Sequence, residues 1–332
     1  MLDYRSLPSF VISGGELTTE QSLHVLNGPG EEFLALFQAA GEVRRHFHGT
    51  RVQVQILSNA KSGLCSEDCH YCSQSVVSAA QIARYPLKSH QTLFDEARQA
   101  KALHARRFCM GLSGRTLGDL EVDALCELIG QIRRDVGIPV CCSLGFITAD
   151  QARRLRAAGL DRVNHNLNTS RRHYPAICTT HTYDDRMGNL KTCREAGLEV
   201  CSGGIIGQGE TDADIVDLLM SLKEVKPRSI PINFLIPVRG TPFEKMEHGL
   251  TPVRCLRVLA LARLLHAPAD IRVAGGREYH LRSLQPMALY LANSIFSNGY
   301  LTEGGQTHDD AMRMIGDLGF ELEVEGAAGG VA

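Results

Sequence analysis

Eight short, apolar, β-branched runs alternate with amphipathic stretches along the chain, and this alternation predicts an α/β protein: a (β/α)8 TIM-type barrel with an N-terminal helical extension. Two further observations support the barrel. The chain has 332 residues, room for a barrel of about 250 residues with additions at both ends. The runs also end in unusual chemistry, at Cys109, Cys141, Asn166, Cys201, Asn233 and Arg272. A closed barrel gathers all its C-terminal strand ends at one mouth. An open doubly wound sheet has a single crevice and would not collect residues from so many strands.

The extension, residues 1–50, holds a helix start at Leu17-Thr-Thr-Glu20 and a helical stretch over 31–47, expected to cap the closed end of the barrel or pack on its side. The barrel is assigned to 51–305. Its expected strands are 52–58, 107–111, 139–144, 162–166, 199–205, 230–236, 271–274 and 294–297, separated by expected helices over 92–104, 120–135, 148–158, 183–196, 212–224, 252–266 and 281–291. Thr148-Ala-Asp-Gln151 has the form of a capping box, and Thr251-Pro252 places Pro at the first helical position. Ala158-Gly159 and Ala196-Gly197 sit where left-handed caps end helices. Residues 306–332 are expected to form a helix and a tail, with the small-residue segment 325–332 disordered.

A hydrophobic content of 44% and a net charge of −2 fit a globular protein with a large core and offer no basic field for nucleic acid or anionic lipid. No apolar run approaches the length of about 18 residues that a membrane span needs. The start, Met1-Leu-Asp-Tyr-Arg-Ser, lacks a secretory pattern, so a cytoplasmic protein is expected, and its eleven cysteines point to thiolate chemistry more than to disulfides.

Three of those cysteines fall within eight residues: Cys65, Cys69 and Cys72, spaced C-x3-C-x2-C. A 4Fe–4S cluster needs four ligands, and three thiolates on one loop leave one iron open for a non-protein ligand. Zinc fits less well, because no second cysteine pair follows at zinc-finger spacing. A disulfide framework cannot use all three.

Cys109, Cys141 and Cys201 stand at one level of the expected barrel, where three thiols could hold a second iron–sulfur cluster below the first. Each alone reads as a small buried hydrophobe, and Arg272 alone reads equally as a partner for a buried carboxylate. Cys142 neighbours Cys141 on a strand and so faces the other way. Cys126, Cys193 and Cys255 on helices and Cys178 in a loop read as structural. Asn164-His-Asn-Leu-Asn168 ends the fourth strand, and its amides suit a ribose hydroxyl or a urea-like group. Gly207-Gln-Gly209 lacks the third Gly of a dinucleotide loop, Asp212 standing in its place. His165, His173 and His181 show no metal spacing and read as surface or core histidines.

Taken in order, several segments resemble the biotin synthase family of the radical-SAM superfamily. They are Asn59–Gly63, Ser66–Ser75, Arg107–Gly111, Asn164–Asn168, Val200–Ile205, Pro231–Leu235, Gly240–Pro242, Gly276–Glu278 and Asn293–Phe296. The resemblance implies that Cys65, Cys69 and Cys72 hold a 4Fe–4S cluster that binds S-adenosyl-L-methionine (SAM). It implies that Tyr71, Asn166, Asn168 and Arg186 contact SAM and that Asn166 and Asn233 contact dethiobiotin. It implies that Cys109, Cys141, Cys201 and Arg272 hold an auxiliary cluster of the 2Fe–2S type. The implied reaction inserts sulfur into dethiobiotin through a 5′-deoxyadenosyl radical, in a homodimer supplied with electrons by flavodoxin or ferredoxin. Two departures stand out: the family usually has Asp at the position of Asn168, and a non-cysteine at that of Cys142. A sister radical-SAM enzyme (hydrogenase maturase or methylornithine synthase) and a non-catalytic iron–sulfur protein are the rival readings. The set Cys109, Cys141, Cys201 and Arg272 argues against the first, and the absence of a fourth ligand near the cysteine loop against the second.

Overall fold

The computed structural model describes residues 2–63 and 65–324; the tail segment 325–332 lies outside the described residues. Ten strands form one sheet: β1 (Arg51–Lys61), β2 (Arg107–Leu112), β3 (Val140–Ser143), β4 (Arg162–Asn164), β5 (Glu199–Cys201), β6 (Gly204–Ile206), β7 (Ser229–Phe234), β8 (Asp270–Val273), β9 (Ser294–Ser297) and β10 (Glu321–Leu322). All pairings are parallel, and β9 returns to β1, so the sheet closes. Counting β5 and β6 as one interrupted strand, the barrel has eight staves, as the alternation predicts.

The interruption is a correction to the continuous strand expected over 199–205. Its register is unbroken: Cys201 faces Ser229 and Gly204 faces Ile232, the same offset. The break lies at Ser202-Gly203, where a Cβ on Gly203 would stand 1.9 Å from the Pro231 carbonyl oxygen. Only a glycine lets the two backbones approach this closely. Freed from the ladder, the Gly203 N–H donates to Asn166 Oδ1 at 3.2 Å, and its carbonyl accepts from Asn168 N at 3.0 Å.

Helices cover the outside of the barrel. Thr148 and Thr251 cap theirs as expected, each accepting from the backbone N–H three residues on, and Gly159 and Gly197 both take positive φ. The continuous helix expected over 281–291 is instead a short α-helix, Arg277–Leu281, followed by a 3-10 segment, Arg282–Tyr290, that contains Pro286. A proline cannot donate the interior α-helical bond. In the extension, the helix Phe33–His48 packs against Pro252–Leu265, and Arg44 reaches the Gly49 and Arg51 carbonyls at the start of β1. The extension thus packs on the side of the barrel and reaches the start of its first strand. Arg257 ties it further, donating to the Val25, Gly28 and Pro29 carbonyls. After the helix His308–Asp317, β10 adds to the outer end of β1, which sequence reasoning did not anticipate.

Candidate active site

At the C-terminal end of the barrel a cavity of about 290 Å3 opens, lined by the cysteine loop on one side and strand ends on the other. Cys65, Cys69, Tyr71, Cys72, Asn166, Asn168, Arg186 and Asn233 all line it. The loop follows β1 directly and is shaped by its own hydrogen bonds. Cys72 N donates to the Cys69 carbonyl, Val76 N to the Glu67 carbonyl, and Gly63 N to Gln74 Oε1. Its sulfurs are buried or half-buried, and burial pushes the Cys72 thiol up to about 11. Such thiols are poor nucleophiles when protonated and suit a cationic metal centre that displaces the proton.

Opposite the loop the amides are only partly satisfied by protein. Asn166 Oδ1 accepts from Gly203 N and Asn164 Nδ2, both at 3.2 Å, which leaves its NH2 group for the cavity. Asn233 donates to the Gly204 carbonyl at 3.1 Å and accepts from Gly275 N at 2.9 Å, retaining one donor and one acceptor. Asn168, held at φ +71°, donates to the Tyr71 hydroxyl at 2.6 Å. Arg186 donates to the Asn166 carbonyl at 2.9 Å, to His181 Nε2 at 3.1 Å and to the Tyr174 hydroxyl. Burial opposes its charge, but Tyr174, Tyr71 and Cys69 outweigh that effect and raise its pKa. Arg186 therefore places a fixed cation beside the cysteine loop.

Beneath this cavity lies a smaller one, lined by Cys109, Cys141 and Arg272 among others. Cys109 and Cys141 are register partners on β2 and β3, and Cys201 joins them in one buried cluster flanked by Leu57 and Phe296. Arg272 crosses from β8, with Nη1 3.7 Å from Cys201 Sγ, Nε donating to Ser294 Oγ and Nη2 to Ser229 Oγ, both at 3.1 Å. Its guanidinium carbon stands 4.8 Å from the centroid of the Phe296 ring. The hydrogen bond from Cys141, then the charges of Arg272 and Arg107, lower the Cys109 pKa; the same Cys109 contact raises Cys141 to about 12. Cys142 points away from this group into the apolar core, where burial raises its pKa.

The four auxiliary-site residues thus come together, and so do the eight residues of the mouth. Sequence reasoning missed several neighbours. His181, read as a surface or core histidine, lines the cavity and is bonded to Glu67; His165 lines it too, with Nε2 lacking any hydrogen-bond partner among the described residues. Burial, then the charge of Arg186, keeps His165 neutral. No spacing rule could have found either, because their partners come from other loops. Cys178, read as structural, lies 3.8 Å from Cys69 Sγ.

The donor set fits iron–sulfur groups at both levels. Three thiols on one loop line a cavity that also contains an unpartnered buried imidazole, and three further thiols converge with one guanidinium below it.

The sequence matches the model of the Radical SAM superfamily over residues 61–222 and that of the Biotin and Thiamin Synthesis associated domain over 231–321. It is 45% identical to the biotin synthase of Bacillus subtilis subsp. natto, covering 97% of this chain and 96% of that protein. It is 46% identical to that of Geobacillus kaustophilus, with 97% of each chain covered. The chain belongs to the biotin synthase family. As a family member it has the (β/α)8 barrel of radical-SAM enzymes, and its family implies a 4Fe–4S cluster and SAM. Among solved structures, methylornithine synthase superposes with a TM-score of 0.83 at 19% identity, covering 96% of this chain and 97% of that one. The FeFe-hydrogenase maturase HydG from Carboxydothermus hydrogenoformans superposes at 0.83 with 17% identity, covering 98% and 80%. At such identities these two likenesses establish the shared barrel and nothing further. No helix among the described residues is long and apolar enough to cross a membrane.

Proposed function

We infer that this chain converts dethiobiotin to biotin by radical-SAM sulfur insertion. The carrying observation is the stacking of two thiol sets at one barrel mouth: Cys65, Cys69 and Cys72 line the upper cavity, and Cys109 and Cys141, with Cys201 and Arg272, form the floor of the lower. The two cavities share Gln74, Leu112, Ser143, Asn164, Tyr300 and Leu301 as common wall. Cys65, Cys69 and Cys72 would hold the 4Fe–4S cluster, and Cys109, Cys141, Cys201 and Arg272 an auxiliary cluster of 2Fe–2S type. When bound, these groups supply a 5′-deoxyadenosyl radical from SAM and a sulfur atom, respectively.

The protein supplies position and dryness. Tyr71 and Asn168 form a hydrogen-bonded pair at the cavity wall, suited to the adenosine of SAM. Arg186, fixed by Tyr174 and the Asn166 carbonyl, offers charge to a carboxylate. The unused amide groups of Asn166 and Asn233 match a ureido ring, which needs both donors and acceptors. Phe146, Phe234, Leu235 and Ile236 supply apolar wall that excludes water from a reactive radical. Flavodoxin or ferredoxin as electron donor, a homodimer and a cytoplasmic location rest on the family alone.

The test is anaerobic. The protein is reconstituted with iron and sulfide, given SAM, a reductant and dethiobiotin, and its products are followed by mass spectrometry. Biotin with 5′-deoxyadenosine is expected. Deoxyadenosine without biotin would favour a sister radical-SAM reaction, and neither product from protein with verified clusters would refute both.

A further inference from the structure

Cys178 stands outside the machinery just described, yet its sulfur is 3.8 Å from that of Cys69. The contact is held by one backbone bond and by side-chain bonds of Asp68 and Thr180. His70 N donates to the Ile177 carbonyl at 2.9 Å, and Asp68 Oδ1 accepts from Thr179 N at 2.9 Å. Thr180 closes the bracket, donating through N to Asp68 Oδ1 at 3.2 Å and accepting from Asp68 N on Oγ1 at 3.3 Å. Bonds at 70–177 and at 68–179 flank the pair and hold Cys69 and Cys178 sulfur to sulfur between them. A disulfide draws two sulfurs to about 2.05 Å, so its formation here closes a 3.8 Å gap between side chains that already touch.

We propose that Cys178 is the resolving thiol of Cys69: in protein that has lost its cluster, oxidation joins the two as a reversible disulfide. Cys69 lines the open cavity and Cys178 does not, so the cavity gives a small oxidant a route to Cys69. With hydrogen peroxide as oxidant, the Cys69 sulfur takes one oxygen to become a sulfenic acid, and peroxide's other oxygen leaves as water. Cys178 then attacks that sulfur, the S–O bond breaks, and a second water departs. Two thiols and one peroxide become one disulfide and two waters. The bond stops Cys69 short of the irreversible sulfinic stage and withholds one of the three loop thiols until a reductant frees it. That last consequence rests on the proposed cluster function; the bond itself does not.

The full chain, stripped of iron by a chelator under anaerobic conditions, is exposed to hydrogen peroxide and digested with trypsin without reduction. Cleavage at arginine and lysine places Cys178 alone in the peptide 173–186 and all three loop cysteines in 62–84. The expected product is those two peptides linked, with fragmentation assigning the bond to Cys69 and dithiothreitol releasing it. In Cys178→Ser, circular dichroism verifies the fold, and Cys69 is expected to appear as sulfinic acid with loss of iron uptake after reduction. The proposal is overturned if the parent yields Cys69 as sulfinic acid or joined to Cys65 or Cys72, or if Cys178→Ser matches the parent in both readouts. Iron and sulfide uptake by unoxidised parent protein tests the cluster assignment separately.

Discussion

The two thiol sets of this barrel are built in opposite ways. Cys65, Cys69 and Cys72 come from one loop, held by its own backbone bonds and by bonds to residues 177–181, and partly open to the mouth. Cys109, Cys141, Cys201 and Arg272 come from four separate strands and are all buried. The first set needs that loop and the segment 177–181 that braces it. The second exists only if the register of β2, β3, β5 and β8 is correct, so it is as precise as the barrel and as hard to rearrange. On the proposed function, a loop that admits a large cosubstrate and a floor that delivers an atom to one place would have different tolerances.

The largest effects should separate the sets. Cys65→Ala is expected to remove about four irons per chain and abolish deoxyadenosine formation while leaving the lower site's absorbance. Cys141→Ala is expected to do the reverse, keeping deoxyadenosine and losing biotin. Iron analysis with product quantification checks both, and loss of both clusters from either variant would show that the sites fold as one unit.

Arg272→Met probes the floor alone. It strands the buried Ser229 hydroxyl and leaves Ser294 with Gln55 alone, which should cost about 1–3 kcal/mol by urea unfolding, and it leaves the thiols without their cation. An unchanged midpoint would mean that these hydrogen bonds contribute nothing net.

Asp214 probes the mouth. It is buried at the start of the helix Asp212–Val225 and accepts from Ser170 Oγ at 2.6 Å and from Arg172, anchoring the loop after Asn168. Burial alone would raise its carboxyl, but the bonds from Ser170, Thr211 and Arg172 hold it below the usual range. A carboxylate with a depressed folded pKa stabilises the fold fully above its unfolded value near 3.9 and loses that contribution as pH falls through the folded value. Asp214→Asn should therefore cost about 1–3 kcal/mol at neutral pH, and its difference from the parent should shrink below about pH 4. Stability curves measured from pH 7 downward would reject this if the gap were constant.

The smallest effect is expected at Asn168→Asp. A carboxylate there could accept from the Tyr71 hydroxyl, which now accepts from the amide, so the pair survives by reversing its donor. Stability should move by less than about 1 kcal/mol. A larger loss in thermal unfolding would indicate that the buried charge is not compensated.

The same contrast explains what could be read from the sequence. The cysteine loop was legible because its chemistry lies in spacing. The strands were legible because their apolar period is local, and capping residues such as Thr148 and Thr251 acted within one turn. Convergence of Cys109, Cys141 and Cys201 could be inferred only as a shared level, since register is non-local. Three features gave no local signal. The break at Gly203 depends on the Pro231 carbonyl, the pairing of β10 depends on β1, and the contact of Cys69 and Cys178 depends on segments more than a hundred positions apart.

The wall shared by the two cavities has a consequence for anyone altering this protein. Gln74, Asn164 and Tyr300 each face both chambers, and Asn164 also donates to Cys201 Sγ at 3.3 Å. A side chain in that partition has two clients and cannot be optimised for either alone. Changes meant to widen substrate range from above will register below as altered surroundings for the sulfurs. The choices that touch one chamber alone lie at positions such as Phe146 or Leu235, which line the upper and not the lower.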